Sequence, residues 1–182
     1  LSTAKLQYAC SAHPVDHVPV MNLTTEQQKL LNEIPDAMFR ESVRDYMVNQ
    51  QFRRDYWVRG SRFLTAIEQI EIARTLRFVL MVSREKVELK VTGALGKATL
   101  SEAVYGPILD CLADYKIHSL EQVEQAVKAK GITIAQITQA AMLLAGSGQV
   151  ALAQDDQHIS KVRKHTDKLN QYLLKKAASS GD

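Results

Sequence analysis

The sequence has few of the features that mark specialised protein classes. It contains two cysteines in 182 residues, too few for a disulfide framework, so we expect free thiols in a reducing, cytoplasmic compartment. Eight glycines and four prolines are too few for a collagen-like or linker-dominated chain. An uncharged stretch from Gly131 to Gln154 is interrupted by threonine, glutamine, serine and glycine, which argues against a membrane span and a membrane partner.

Motifs for nucleotide binding and catalysis are also missing. There is no G-x-G-x-x-G after a strand, no P-loop, and no serine or cysteine in a nucleophile elbow or beside an identifiable base. The segment His13-Pro14-Val15-Asp16-His17 offers three potential Zn²⁺ ligands, but its proline prevents helical spacing, and we interpret it as a solvated loop. We therefore expect no catalytic residue, no cofactor and no metal in this chain.

The composition that is present is typical of a globular protein. Apolar residues make up 46% and charged residues 24%, and a chain of this length buries about 70% of its unfolded surface. The net charge of +3 creates no strong field that would draw the whole molecule onto nucleic acid, so no nucleic-acid partner is expected.

The chain is predicted to be α+β, with N-terminal helices and a small antiparallel sheet followed by a mainly helical domain. Residues 1–22 are predicted to hold a short strand near Leu6–Ala9 and a polar linker. Residues 23–100 alternate helices and strands. Their predicted helices begin at Thr24 or Thr25, at Asp36 and at Thr65, the second running to about Phe52, and their predicted strands are 55–59, 76–83, 87–91 and 97–100.

The pattern is helical from Ser101 onward. Three helices begin at Ser101, Ser119 and Thr133, a short strand covers 149–153, and a last helix covers about 157–177. Three short helices followed by a strand predict a winged-helix-like domain over residues 101–182. A winged-helix nucleic-acid-binding regulator is thus an alternative function, although the third helix has no lysine or arginine to meet phosphates.

The arginines are unevenly distributed along the chain. Eight of the ten lie between Arg40 and Arg77, a window without lysine, which suggests bidentate or stacked contacts. The same window contains acidic residues, so these arginines either pair inside the protein or form a surface that faces a partner.

The segment from Arg40 to Gly60 resembles the predicted methyltransferase regulatory domain. In that family a helix ends in an Asn-x-x-Phe-Arg segment and continues into a strand that ends near Val-Arg-Gly. The matching positions are Asn49, Phe52, Arg53, Arg54 and Val58–Gly60, and the resemblance extends over about residues 23–100.

This resemblance implies a function in methyl transfer without catalysis. Family members commonly place this region after a class I, S-adenosylmethionine-dependent domain, as in rickettsial-type protein lysine methyltransferases, where a winged-helix-like domain often follows. By this resemblance the chain is a non-catalytic regulatory or substrate-presenting module. Its expected partners are a methyltransferase catalytic domain, in cis or in trans, and that enzyme's protein substrate. Residues 1–22 are then the end of a preceding catalytic domain or the linker leaving it.

The most distinctive segment supplies the predicted site. Phe52, Tyr56 and Val58 are expected to point into the core and Trp57 to the opposite strand face. An unpaired guanidinium is too costly to bury, so at least one of the three neighbouring arginines should pair with a carboxylate such as Asp45 or Asp55. The predicted partner-binding residues are Arg53, Arg54, Trp57 and Arg59.

Overall fold

The structure, a computed structural model, describes residues 2–180 and confirms the α+β class. Leu1, Gly181 and Asp182, which belong to the predicted N-terminal and C-terminal regions, lie outside the described residues. The helices are α1 Thr25–Asn32, α2 Ala37–Val48, α3 Ala66–Thr75, α4 Glu102–Leu112, α5 Leu120–Val127, α6 Ile134–Gly146 and α7 Asp156–Ser180. The strands are β1 Gln7–Ser11, β2 Asp55–Val58, β3 Arg77–Leu80, β4 Lys90–Gly93, β5 Gly96–Thr99, β6 His118–Ser119 and β7 Val150–Ala153.

The strands form three small sheets. Antiparallel pairing joins β1 to β2 and β4 to β5, and β3 lies between β6 and β7 in a three-stranded sheet. The two-residue strand β6, which the sequence does not predict, pairs antiparallel with β3 through Arg77 and Ser119 and through Phe78 and His118.

Local capping fixes where most helices begin. In α1, α3, α5 and α6 the cap side chain accepts a hydrogen bond from the backbone amide of the third helical residue. The side-chain oxygen of that residue in turn accepts one from the backbone amide of the cap, which is the reciprocal arrangement of a capping box. These caps confirm the starts predicted for α1, α3, α5 and α6. The four pairs are Thr24 with Gln27, Thr65 with Glu68, Ser119 with Gln122 and Thr133 with Gln136.

Helix α2 ends four residues before its predicted end near Phe52. Asn49 takes a left-handed conformation with φ of +53°, and the Gln50 amide donates to the Asp45 carbonyl at 2.9 Å. Asparagine is one of the few residues other than glycine that adopts this conformation readily, so it ends the helix and turns the chain toward β2.

Residues up to Leu152 form one compact unit whose core crosses the predicted boundary at Leu100. Phe78 from β3, Leu109 from α4 and Ile137 from α6 are almost fully buried in the same cluster. The parts before and after residue 100 therefore pack against each other within this unit. The division into domains at residue 100 stays a prediction.

The segment after β1, expected to be a polar linker, packs into this core. Two short 3₁₀ turns, Pro14–His17 and Pro19–Met21, place Val15 and Val18 at 4% exposure. Helix α6 fits so closely beside this segment that a side chain at Gly146 would come within 2.6 Å of Val15.

Residues from Ala153 onward form a second unit, which consists chiefly of α7. One stripe of this helix is apolar, and Val162, Leu169 and Leu173 on it are each about half exposed. None of the helices within residues 2–180 has the length and apolar character that crossing a membrane requires.

Candidate partner-binding surface

Arg53 joins three elements of the structure through ion pairs. Its Nη2 lies 3.1 Å from Glu41 Oε2, its Nη1 lies 3.0 Å from Asp45 Oδ2, and its Nη2 lies 3.0 Å from Asp55 Oδ1. Nη2 also donates to the Tyr8 hydroxyl at 2.8 Å. Because Glu41 and Asp45 belong to α2, Asp55 to β2 and Tyr8 to β1, one guanidinium holds the helix against both strands.

The electrostatics of this cluster follow from its partial burial. Desolvation first, and the neighbouring Glu41 carboxylate second, raise the pKa of Tyr8 to about 12. Desolvation alone would lower the pKa of Arg53, but hydrogen bonds to Asp55 and Asp45 outweigh it and raise that pKa. At neutral pH, Tyr8 is therefore a protonated phenol that donates a hydrogen bond, and Arg53 is a cation that links carboxylates.

The side chains around β2 lie differently from the prediction. Trp57 is partly buried and meets the Tyr8 ring edge to face at 5.7 Å. Tyr56 is 59% exposed, and Phe52, expected in the core, is 89% exposed. The predicted inward positions of Phe52 and Tyr56 are therefore wrong, whereas Val58, also predicted inward, is partly buried.

The remaining predicted site residues differ in their surroundings. Arg54 is exposed, and no group in the described chain pairs with its guanidinium. Arg59 is also exposed, and its Nη2 donates to the Ala4 carbonyl at 2.8 Å. Arg53 confirms the prediction that at least one of the three arginines pairs with a carboxylate.

Several other arginines of the same window also have internal partners. Arg40 donates to the Ile34 carbonyl, Arg62 pairs with Glu68 at 2.7 Å, and Arg74 pairs with Glu124 at 2.8 Å. Structural pairing therefore accounts for much of the arginine clustering, and the arginines that offer surface charge near β2 are Arg54 and Arg59.

Sequence reasoning missed a group of exposed apolar side chains between Met38 and Met81. Tyr46 on α2 is 89% exposed, Phe63 before α3 is fully exposed, and Ile67 on α3 is 71% exposed. Helical periodicity cannot find such residues, because an apolar stripe that packs inside the chain and one that binds a partner have the same spacing. Aromatic side chains such as Tyr46 and Phe63 are enriched at protein interfaces.

The His13–His17 segment is not the open loop that the sequence suggests. Asp16 accepts from Ser11 Oγ at 2.7 Å and lies 3.2 Å from Arg44 Nη2, and the His17 ring contacts the Ser11 carbonyl. Across residues 2–180, no three histidine, cysteine or acidic side chains are arranged to hold a metal ion.

Comparison with known proteins gives the class of this region. Residues 1–59 match the family model described as the predicted methyltransferase regulatory domain, which confirms the resemblance read from the Arg40–Gly60 segment. The match begins with β1 and ends after β2, whereas the sequence placed it at 23–100. The matched residues therefore include β1 as well as α1, α2 and β2.

Two particular proteins are similar over more of the chain. The uncharacterized protein sll1526 of Synechocystis sp. is 35% identical over all 182 residues, and the match spans 36% of that relative's length. The structure of PKMT2 from Rickettsia typhi aligns over 84% of this chain and 34% of that one, with 16% identity and a TM-score of 0.49.

Proposed function

We propose that this chain is a non-catalytic regulatory or substrate-presenting module of an S-adenosylmethionine-dependent methyltransferase. It binds the catalytic part of such an enzyme, in cis or in trans, through the exposed apolar side chains between Met38 and Met81. The family match over residues 1–59 supports the association with methyl transfer. The similarity to about a third of a longer relative supports a role beside further protein.

The exposed aromatic residues are the observation that carries this proposal. Tyr46 and Phe52 are each 89% exposed and Phe63 is fully exposed, although water contact with such large apolar surfaces is unfavourable. Aromatic side chains dominate the binding energy of protein interfaces because they bury large areas at low entropic cost. A partner that covers them therefore gains much of its affinity there.

The arginines next to them give the proposed interface its charge. Arg54 and Arg59 are exposed near β2, whereas Arg53 serves to hold α2, β1 and β2 in place. Trp57 forms part of the same support through Tyr8 and is only partly exposed to a partner. We assign Arg54 and Arg59 to the polar rim, where charge adds specificity and a faster association rate.

The winged-helix-like assignment of residues 101–182 is part of the same proposal. The order α4, β6, α5, α6 and β7 supports it, since short helices precede a strand as in that fold. Helix α6 contributes Ile137, Leu143 and Leu144 to the core and carries no charged residue. It therefore favours a packing role over the alternative, in which it would bind nucleic acid.

Binding to a separately supplied part of a longer relative tests the proposal. The part of the Synechocystis relative outside the matched region is titrated with this chain in a calorimeter. We expect saturable binding that Tyr46→Ser, Phe52→Ser and Phe63→Ser each weaken by about tenfold or more, because buried aromatic anchors contribute about 2 kcal/mol or more.

Leu152→Ser is the matched control, because Leu152 is 69% exposed and lies outside the Met38–Met81 region. It should leave the affinity within a factor of two to three. Equal affinities for all four variants and the unchanged chain would show that the exposed aromatic residues do not form the interface.

A further inference from the structure

Helix α7 has two faces of different chemistry. At about 3.6 residues per turn, four apolar side chains fall within an arc of about 80°, which we name the apolar stripe: Ile159, Val162, Leu169 and Leu173. Four lysines fall within an arc of about 60° on the far side of the helix, which we name the lysine face: Lys161, Lys164, Lys168 and Lys175. Helix α7 is therefore amphipathic.

Both faces of α7 are open to solvent. Residues 160–179 are all exposed, and on the apolar stripe Val162 is 50% exposed, Leu169 56% and Leu173 51%. A helix in water gains little stability from its own hydrogen bonds, and most helices in proteins are held by burial of an apolar face. A surface that covers the apolar stripe would therefore stabilise α7.

Positive charge is concentrated on this helix. Helix α7 contains six lysines and arginines but two aspartates, a net charge of +4, whereas the whole chain has a net charge of +3. Asp167 lies 3.9 Å from Arg163, and none of the four lysines of the lysine face forms an ion pair with a described residue. The charge of the lysine face is thus available to a negatively charged partner.

The position of the charge argues against a second helix as that partner. Ion pairs between two packed helices form at the positions that flank the apolar seam. On α7 these positions hold one arginine and three side chains without a fixed charge, namely Arg163, His165, Asn170 and Tyr172. The apolar stripe is also interrupted by Thr166 and spans about two heptads, fewer than the three or four typical of a coiled coil.

A membrane surface that contains anionic lipids suits both faces. It offers an apolar boundary to the stripe, and its negative potential acts on positive charges within about 10 Å. A helix with its side chains is about 10–12 Å across, so even lysines on its far side remain within this range. Tyr172, which lies between the apolar stripe and the lysine face, suits the polar headgroup region.

We propose that α7 binds along the surface of an anionic membrane, with the apolar stripe at the boundary between headgroups and hydrocarbon and the lysine face attracted by the lipid phosphates. The expectation of no membrane partner came from the segment Gly131–Gln154, which is unsuited to span a bilayer. Helix α7 is a different segment, and it lies on the surface without crossing it. This binding does not depend on the proposed contact with a catalytic part.

Sedimentation of the 182-residue chain with lipid vesicles tests this proposal. The vesicles consist of phosphatidylcholine alone or of phosphatidylcholine with one third phosphatidylglycerol. We expect the chain to pellet with the anionic vesicles and to bind the neutral vesicles at least tenfold more weakly. Raising the salt concentration from about 0.05 to 0.5 M should weaken binding to the anionic vesicles by about tenfold or more, because salt screens the surface potential.

Removal of charge from α7 identifies the lysine face as the binding element. A triple variant with Lys161→Gln, Lys164→Gln and Lys168→Gln should bind the anionic vesicles about tenfold or more weakly. The matched control removes the same charge from three exposed lysines outside α7, with Lys29→Gln, Lys97→Gln and Lys130→Gln. It should bind within about threefold of the unchanged chain.

A second pair of variants tests the apolar stripe. Leu169→Gln should also weaken binding by about tenfold or more, because the leucine no longer enters the apolar boundary. Leu95→Gln is its control, since Leu95 is 54% exposed and lies in the turn between β4 and β5. Leu95→Gln should bind like the unchanged chain, and Leu169→Gln should leave the melting temperature unchanged because Leu169 is exposed.

Several outcomes would overturn the proposal. One is a failure to pellet with anionic vesicles, and another is equal binding by the two triple lysine variants. Binding to polyglutamate as tight as binding to the anionic vesicles would identify an acidic polypeptide as the partner instead. A dimer in sedimentation equilibrium that Leu169→Gln abolishes would identify a second copy of the chain.

Discussion

Arg53→Met is expected to lower the free energy of unfolding by about 2–4 kcal/mol, because it leaves the carboxylates Glu41, Asp45 and Asp55 close together without their shared cation. For a chain of this size the melting temperature should fall by about 5–12 °C. The partial exposure of the cluster, 22% for the Arg53 side chain, places the loss below that of a fully buried pair. Urea unfolding followed by circular dichroism measures it.

Two controls distinguish the effect of losing the Arg53 ion pairs from the effect of losing a positive charge elsewhere. Arg53→Lys should recover little stability, because a single ammonium cannot form the parallel contacts that link α2 to β2. Arg62→Met removes an exposed arginine paired with Glu68 and should leave the free energy of unfolding nearly unchanged. Equal stabilities for Arg53→Met and the unchanged chain would show that Arg53 does not hold these elements together.

Gly93→Ala is expected to lower the free energy of unfolding by about 2–3 kcal/mol, for a steric reason. The added carbon would lie 2.2 Å from the carbonyl oxygen of Met21 and 2.9 Å from its carbonyl carbon, and backbone atoms cannot turn aside as a flexible side chain can. The same carbonyl accepts the Leu95 amide, so the turn between β4 and β5 must shift with it. Thermal and urea unfolding measure the loss.

Gly60→Ala is the matched control for this substitution. At Gly60 no atom lies within 4 Å of an added carbon, but φ is +63°, so only the backbone conformation is strained. That strain should cost about 1 kcal/mol. A loss at Gly93 no larger than the loss at Gly60 would contradict the close contact with Met21.

Much of the secondary structure could be predicted because its signals are local. A capping box involves residues three positions apart, so the starts of α1, α3, α5 and α6 could be read directly from the chain. Strand β6 could not, since it is defined by pairing with Arg77 and Phe78, which are about 40 residues away in the sequence. Local propensity contains no information about such a partner.

The surroundings of the candidate site could be predicted only in part. Burying an unpaired guanidinium is unfavourable, so at least one arginine near β2 was expected to pair with a carboxylate. Arg53 pairs with three. Alternation along β2 separates Tyr56 from Trp57 but does not tell which face α2 covers, and the contacts of Tyr8 and Arg53 decide that. The sequence cannot separate apolar residues that pack inside the chain from those, such as Phe52, that remain exposed.

The burial of Val15 and Val18 could not be predicted from the sequence for a different reason. Both stand in a polar stretch with two prolines, a composition typical of a linker. Short 3₁₀ turns nevertheless direct them into the core beside α6.

Methyl transfer measured as this chain is titrated into a methyltransferase catalytic part, with S-adenosylmethionine and protein acceptor present, tests the central claim most directly. We expect no transfer by the chain alone and a rate for the catalytic part that changes saturably as the chain is added. The half-maximal concentration should match the dissociation constant from calorimetry, and Phe63→Ser should raise it by about tenfold or more. Transfer by the chain alone, or a rate that stays constant while the chain saturates the catalytic part, would rule out a non-catalytic regulatory module.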